Sequence, residues 1–465
     1  MPAGLRIRVN RDAASSLTEQ IGQTIRTAIL DGRLKPGARL PSWRDLAAQL
    51  GVARGTVRAA YERLADELLV AASGPGGTHV AEQPLRAAPA TVETPPPPQD
   101  RIAYSAAPLP FQLGVPAHDG FPVKLWTRIA VRATRAAAEL PPSGPDPRGA
   151  LELRAQLAGY LALARGIRCA PEQIIITRGF RDGLDLAIRT LRVEGRAAWM
   201  EEPGFSLTRS GLALAGMRPA AITVDEHGLD VQRGIAIAPD AAIAVVTAGQ
   251  QAPLGVTLSS SRRHALLRWA SHSGGWIIED DYLSELQLDG RAAPAVMAMD
   301  RAGRVIYAAS FSKTLSPSLG VGFVVVPPAL AARFAEVAAC LAPAPNIAIQ
   351  LAVAELLRDG HYLRHLRRMK RLYAARRDAL RTCLRGMTGV EAAGLAVILR
   401  LPQGSDDVAV ARGARAHGLA PGALSTWYAT DAARARGLLL GVTNLVDSGI
   451  QRACDRLKAL VAPLY

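Results

Sequence analysis

The sequence predicts two unlike folded parts: a small N-terminal winged helix-turn-helix, and a large α/β region on a mainly parallel sheet ending in a small α+β domain. Three observations carry this. Residues 1–82 hold three short segments of helical apolar spacing and then a glycine-containing hairpin pattern; residues 83–103 are rich in Pro and Ala; and from Phe111 onward short apolar runs alternate with longer helical ones. With 465 residues, 49% of them hydrophobic, the chain is long enough for two or three domains with a sizeable core.

Leu17, Ile21, Ile25, Ala28 and Ile29 share one side of a helix drawn from Ser16 to Asp31, and Gly32 stops it. The turn-rich stretch G-R-L-K-P-G-A-R-L-P-S delivers Ser42 as the N-cap of a second helix, Trp43 to Leu50, with Leu46, Ala47 and Leu50 inward. Gly51-Val52 turns the chain into a third helix, Arg54 to Glu67, which buries Val57, Ala60, Tyr61 and Leu64. Two short helices joined by a glycine turn are a helix-turn-helix, the second placed to enter a major groove. Leu68 to Ala72 and Thr78 to Ala81 flank S-G-P-G-G, a hairpin wing. The same pattern also suits a small helical oligomerisation domain with a solvated basic face. Four consecutive prolines, Pro95 to Pro98, make residues 83–103 a semi-rigid linker.

In the larger part, G-P-D-P-R-G-A-L-E-L-R (Gly144 to Arg154) leads into a helix reaching Ala164, and Ile174 to Thr177 reads as a buried strand. Arg178-Gly179-Phe180-Arg181 opens the helix Asp182 to Leu191. A strand-to-helix turn with glycine presents backbone N–H groups and a positive dipole end, a cradle for phosphate or a plain connection. Val245 to Thr247 is a further strand, followed by Gln250 and Gln251 in a loop where glutamines are usually solvated. Three more runs, Trp276 to Ile278, Val305 to Ala308 and Gly322 to Val326, read as buried parallel strands that deliver side chains at their carboxyl ends. The first delivers Asp280 and, two residues on, Tyr282; the second delivers Ser310-Phe311-Ser312-Lys313. A lysine after an apolar strand, in a small hydroxylated loop, suits an amine kept unprotonated to condense with an aldehyde, and Asp280 could hold a pyridinium protonated. A simple strand-end ion pair fits the same residues.

The stretch His361 to Arg385 carries nine Lys/Arg and one acid, Asp378; it reads as a long helix with Tyr362, Leu366, Leu372 and Leu380 inward and a solvated basic face, or a second DNA-facing surface. From Val390 to Tyr465 the pattern alternates again and ends in an amphipathic helix, Ser448 to Leu460.

The formal net charge is +15 with a pI near 10.3, which suits a polyanionic partner. Residues 1–82 hold 11 Lys/Arg against 8 Asp/Glu, so most of the excess lies downstream. Cys169, Cys340, Cys383 and Cys454 are scattered, which points to reduced thiols and away from a zinc site or disulfide frame. With no apolar run of membrane-spanning length and no signal-peptide pattern, the expected compartment is the cytoplasm.

The motif I-I-E-D-D-Y, followed about thirty residues later by S-F-S-K-T, resembles fold-type I aminotransferases that use pyridoxal 5'-phosphate (PLP). With G-R-L-K-P-G-A-R-L-P-S-W-R-D-L-A-A-Q-L-G-V-A-R-G-T-V-R-A-A-Y-E-R-L upstream, nearly the whole chain resembles the MocR branch of the GntR regulators, in which a winged helix is fused to such a domain. The resemblance implies DNA contact by Arg44, Arg54, Thr56 and Arg58, with Ser42 at the helix start and Gly77, Thr78 and His79 at the wing. Arginines of that kind reach phosphates or guanine edges. It implies PLP held by Lys313 as an imine, with Asp280 and Tyr282 on the ring, Phe205 stacked on it, and Gly179, Phe180, Arg181, Ser310 and Ser312 around the phosphate. It implies domains of 1–82, 83–103 and 104–465, the small domain from about 345, and a homodimer that senses an amine, an amino acid-like effector or PLP itself.

Three positions depart from that family's pattern. The arginine expected seven residues after the lysine is Gly320; the tyrosine expected before Asp146-Pro147 is Gly144; and the C-terminal strand Gly437 to Gly441 has Leu439 where an arginine often clamps the substrate carboxylate. A buried phosphate without its guanidinium loses a charge-assisted interaction worth a few kcal/mol. Weaker PLP retention follows, with Arg181 the candidate to supply the charge. Without the carboxylate clamp at most residual transamination is expected, so no catalytic residue is assigned. A working transaminase with an accessory DNA-binding domain, and a regulator whose domain has lost PLP and serves dimerisation, are the other readings.

Overall fold

The computed structural model describes residues 5, 7–13, 15–72, 77–82, 107–141, 144–290, 292–341, 344–430 and 434–464. The chain divides into two compact units, residues 1–101 and 102–465. The expected linker at 83–103 and residues 73–76 of the expected wing loop lie outside the described residues.

In the first unit, α1 (Leu17–Leu30) starts where the Ser16 hydroxyl accepts the Glu19 N–H at 3.2 Å. The helix α2 (Trp43–Leu50) is capped by Ser42, which accepts from Asp45 N at 3.1 Å and donates to its carboxylate at 2.7 Å. Gly51, at φ 62°, ends α2 in the left-handed conformation that glycine tolerates best and lets α3 (Arg54–Asp66) follow almost at once. Strands β1 (Val70–Ala72) and β2 (Thr78–Val80) pair antiparallel with Val70 opposite Val80. Ile21, Ile25, Leu46, Val57, Ala60 and Leu64 are fully buried together, each large aliphatic chain contributing about 1.5–3 kcal/mol. Leu5 and Ile7, ahead of the first helix, close the same core.

The second unit runs α4 (Val123–Ala138), α5 (Leu151–Ala164), β3 (Ile174–Thr177), α6 (Phe180–Leu191), β4 (Ala197–Glu202), α7 (Ser206–Leu214), β5 (Arg218–Asp225), β6 (Gly228–Leu229), α8 (Val231–Ile237), β7 (Ile243–Val246), α9 (Ser260–Ser273), β8 (Trp276–Asp281), β9 (Val305–Ser310) and β10 (Gly322–Val325). There follow α10 (Ala331–Leu341), α11 (Ile347–Arg358), α12 (His361–Cys383), β11 (Val390–Ala393), β12 (Ala396–Arg400), α13 (Asp407–Ala414), β13 (Gly422–Ala423), β14 (Gly437–Gly441) and α14 (Ile450–Val461).

The large sheet has the order β3-β10-β9-β8-β7-β4-β5-β6. Strands β5, β4, β7, β8 and β9 are mutually parallel, and helices cover them. The expectation of a parallel strand at Gly322 to Val326 is corrected: β10 is antiparallel to both β9 and β3. Between Ser310 and Gly322 lies only a loop with a 3-10 turn, Pro317–Leu319, too short for a parallel crossover. The small sheet, β11-β12-β14-β13, is wholly antiparallel. The helix α11 packs on α4 and α5, while α14 packs on α12.

The solvated face expected for the basic helix needs a second correction. Arg376 and Arg377 of α12 are buried. Arg376 donates to the Thr443 carbonyl at 2.6 Å and pairs with Asp119 at 2.6 Å, and Arg377 holds Asp289 through two bonds of 2.5 and 2.9 Å. Burying a guanidinium is costly unless it is paired, and Arg377 Nε is left without a hydrogen-bond partner among the described residues.

Candidate functional site

Parallel neighbours end at the same edge of a sheet, and β4, β7, β8 and β9 bring Glu201, Thr247, Asp280 and the Ser310–Lys313 loop there together. Lys313 is half-buried and donates to the Gly114 carbonyl at 2.5 Å. Burial lowers the pKa of its amine; Asp280 acts against that shift, and Arg181 adds to it. Asp280 is buried, and its Oδ1 has no hydrogen-bond partner among the described residues. Burial raises its pKa well above the usual carboxylate range, with Asp281 and Glu201 adding and Lys313 opposing.

Tyr282 lies beside them, its phenol pushed upward by burial and bonded by the Gln250 side chain. Gln250 and Gln251 are themselves buried, which corrects the expectation that they are solvated. Gln251 donates to the Pro203 and Ala252 carbonyls at 2.7 Å each, so a loop of unpaired backbone gains partners. Gln250 sits so closely against the β11–β12 turn that a Cβ on Gly394 would collide with its Nε2.

Sequence reasoning missed Glu201. Its carboxylate accepts from Thr247 N at 3.1 Å and the Thr247 hydroxyl at 2.5 Å, and burial pushes its pKa up to about 7. It ends a strand in an acidic pair just as Asp280 does, and that likeness was the available signal. Its neighbour Glu202 accepts from Ala429 and Thr430 N–H groups at 2.7 and 2.9 Å, and Gly204 N donates to the Trp427 carbonyl at 3.0 Å. These bonds tie the large sheet to the segment that precedes β14. Phe205 is 38% exposed and its ring lies 5.7 Å from that of Trp427, so it is not a core aromatic.

Gly179, at φ 139°, is the N-cap of α6, which begins at Phe180, two residues before the expected Asp182. A Cβ on Gly322 would lie 2.7 Å from the Gly179 Cα, so β10 and this turn touch backbone to backbone. Arg181 projects from the first turn of α6 and is exposed; Phe180, Ser310 and Ser312 are half-buried. Gly320 and Gly144 have positive φ angles and open space where a Cβ would go. Leu439 is buried in an apolar cluster with Ala393, Ile398 and Leu424, against Leu113 and Leu254.

Behind the lysine, Thr314 is gripped by α12: the Tyr362 hydroxyl donates to Thr314 Oγ1 at 3.1 Å, and His365 Nε2 donates to the Thr314 carbonyl at 2.8 Å. No cluster of metal-ligating side chains occurs among the described residues, and no helix among them is long and apolar enough to cross a membrane.

In the first unit, Arg44, Arg54 and Arg58 are exposed and Thr56, Gly77, Thr78 and His79 are half-exposed. Arg44 lies over the Trp43 ring at 4.8 Å, and Arg58 pairs with Glu62 at 2.8 Å one helical turn away. An exposed pair of that kind is worth under about 1 kcal/mol, so Arg58 can exchange Glu62 for a phosphate. The Ser42 hydroxyl is committed to its cap. Arg39, bridged to His79 and lying against Gly77, joins this wing; its place in a turn gave no signal.

Residues 17–80 match the model of the bacterial regulatory proteins, gntR family. The chain is 32% identical, over 97% of its length and 95% of the relative's, to the protein named "Probable rhizopine catabolism regulatory protein MocR" of Rhizobium meliloti. The chain belongs to the MocR-type GntR regulators. Another member, the pyridoxine biosynthesis transcriptional regulator PdxR of Corynebacterium glutamicum, is 33% identical over 83% of this chain and 82% of its own. The larger unit has the aminotransferase fold. An archaeal alanine:glyoxylate aminotransferase aligns with TM-score 0.70 and 22% identity over 78% of this chain and 92% of its own. The α-aminoadipate aminotransferase LysN of Thermus thermophilus, complexed with N-(5'-phosphopyridoxyl)-L-leucine, aligns with TM-score 0.68 and 26% identity over 77% and 92%. This MocR-type chain is therefore a transcription regulator with an aminotransferase-like domain, and its GntR unit implies DNA as a partner.

Proposed function

We propose that this regulator binds PLP at Lys313 and uses it to sense a small amine, an amino acid-like effector or PLP itself, acting as a homodimer whose winged helices hold DNA through α3 and the wing. The carrying observation is the unpartnered, buried Asp280 Oδ1 beside an amine whose pKa burial lowers. A buried acceptor left without a donor costs about 1–3 kcal/mol, and a protonated ring nitrogen supplies that donor. The residues thus fit the group. Lys313 would hold its aldehyde, Asp280 its nitrogen, Tyr282 its phenolic side and Phe205 its face. The N–H groups of Phe180 and Arg181 at the start of α6 would take its phosphate.

When bound, PLP supplies an electrophilic carbon that amines compete for. The protein's part is to lower the pKa of the Lys313 amine by burial, to present the unpartnered Asp280 Oδ1 to the ring nitrogen, and to transmit the change. Gln250 against Gly394 and Glu202 on Ala429 and Thr430 connect the site to the small sheet. A ligand that displaces Lys313 biases those contacts and so the grip on DNA. Arg181, whose charge reaches Lys313, is proposed to replace the phosphate arginine that Gly320 lacks.

The test is the visible absorbance of the full chain with added PLP. A band that appears in the wild type and is lost in Lys313→Ala supports the reading; a colourless wild type in excess PLP overturns it. Arg181→Ala is expected to weaken retention several-fold, and unchanged retention removes that role. Gly320 and Gly144 favour a second reading, a dimerisation domain without PLP, which predicts no band in any variant. A third, a working transaminase, predicts that an amino donor converts the band; Leu439 in its apolar cluster disfavours it.

A further inference from the structure

We infer that the exposed stripe of arginines on α12 is a second contact surface for duplex DNA, separate from the winged helix. Of the nine Lys/Arg between His361 and Arg385, Arg376 and Arg377 are buried and paired, and Lys370 is half-buried with its amine on the Gly290 carbonyl. The other six, Arg364, Arg367, Arg368, Arg371, Arg381 and Arg385, are exposed. Arg385 follows the end of α12, and at 100° and 1.5 Å per residue the other five fall within about 140° of the helix circumference and extend roughly 26 Å along it. Tyr362, Leu366, Met369, Tyr373 and Leu380 occupy the opposite, buried face.

A helix needs only its buried face to fold, and five like charges on the other repel one another. Nearby acids balance them only in part, Arg381 acting on Asp289. Asp289 is held by Arg377, Asp359 by Arg358, and Asp378, on the stripe itself, lies 3.7 Å from Arg377. Arg367, Arg371 and Arg385 have no ion pair among the described residues. A straight cationic ridge of this length spans about three-quarters of the roughly 34 Å of one turn of B-DNA, whose phosphates are the polyanion that the winged helix already requires. The charge distribution agrees, because the excess of +15 lies mostly outside residues 1–82. The ridge is also connected to the lysine loop, since Tyr362 and His365 of the same helix hold Thr314.

The experiment uses the full chain and a random-sequence duplex, with fluorescence anisotropy measured across a salt series. The triple variant Arg367→Gln/Arg371→Gln/Arg385→Gln is compared with the wild type and with a charge-matched control, Arg233→Gln/Arg301→Gln/Arg333→Gln, also exposed. If all three stripe arginines meet phosphates, the slope of log K against log salt becomes shallower by about 2–3. The control is expected to leave it within about 1 of wild type, the loss of one contact. Equal slopes for triple variant and wild type, or an equal change in both variants, overturn the proposal and leave the stripe a solvated face. Circular dichroism and the PLP absorbance of each variant show that the fold and the lysine site are intact, so failure here is separable from failure of the PLP reading.

Discussion

Replacing Gly322 with alanine tests whether the turn that starts α6 is held by direct backbone contact with β10. The added Cβ would stand 2.7 Å from the Gly179 Cα, 2.8 Å from the Ala309 carbonyl oxygen and 3.1 Å from the Gly179 nitrogen. Ordinary contact begins near 3.4 Å, so the two backbones must part by about 0.7 Å at the closest point. Neither neighbour is a flexible side chain, and Gly322 lies in regular strand geometry between β9 and β3, so the cost is overpacking alone, about 1–3 kcal/mol. Thermal unfolding of the 102–465 unit should show a Tm lower by roughly 1–4 °C. Because the displaced backbone is that of Gly179, PLP retention should fall with it. Gly211→Ala in α7, where a Cβ meets nothing within 4 Å, is the control and should match or exceed the wild type. A Gly322→Ala protein that melts with the wild type would refute the account of the cradle as a packed, rigid turn.

Three further outcomes are expected. Glu201 has its folded pKa raised from the ordinary 4.5 to about 7, mainly by burial, so folding takes up a proton between those values and its contribution to stability is lost as pH rises through 7. The span corresponds to about 3 kcal/mol, and Glu201→Gln should flatten the decline in Tm between acidic and mildly alkaline buffer; an unchanged decline contradicts the assignment. Asp407→Ala strands the Ser425 N–H and hydroxyl and the Gly437 N–H, bonded now at 2.9, 2.6 and 3.1 Å, and should cost about 3–5 kcal/mol in denaturant unfolding. Arg54→Ala should make the salt dependence of DNA binding shallower by about 1, whereas Arg58→Ala should have a smaller effect on affinity because Glu62 competes for that side chain.

The helices of the winged unit could be read directly because their apolar spacing and their end signals, the start at Ser42 and the stop at Gly51, are local. Leu5 and Ile7 could not, since two apolar residues in an irregular arm have no period. In the larger unit the strands β3, β7, β8, β9 and β10 were visible as apolar runs, whereas β5, with Arg218 and Asp225 at its ends, and the two-residue β6 and β13 were not, and direction is not written in a run. The antiparallel direction of β10 follows instead from the shortness of the 311–321 loop, a signal that lies between the runs and not within them. Lys313 and Asp280 were recognisable because strand-end polar residues stand out against apolar neighbours. Gly114, which supplies the carbonyl under the lysine amine, lies 199 positions away, and no spacing rule links the two. Arg376 and Arg377 show the same limit: a charge run reveals its excess, but which members are buried depends on acids such as Asp119 and Asp289, remote in the chain.

Gly320 carries a constraint on what this sequence can become. It ends the 3-10 turn Pro317–Leu319 with φ at 57°, and its N–H closes that turn on the Pro317 carbonyl. A branched-chain or basic residue there would have to adopt a left-handed backbone, at about 1–2 kcal/mol, before its side chain could reach anything. A change to arginine here would therefore meet a turn already bent for glycine, and a side chain at this position could be aimed only by rebuilding the whole bend.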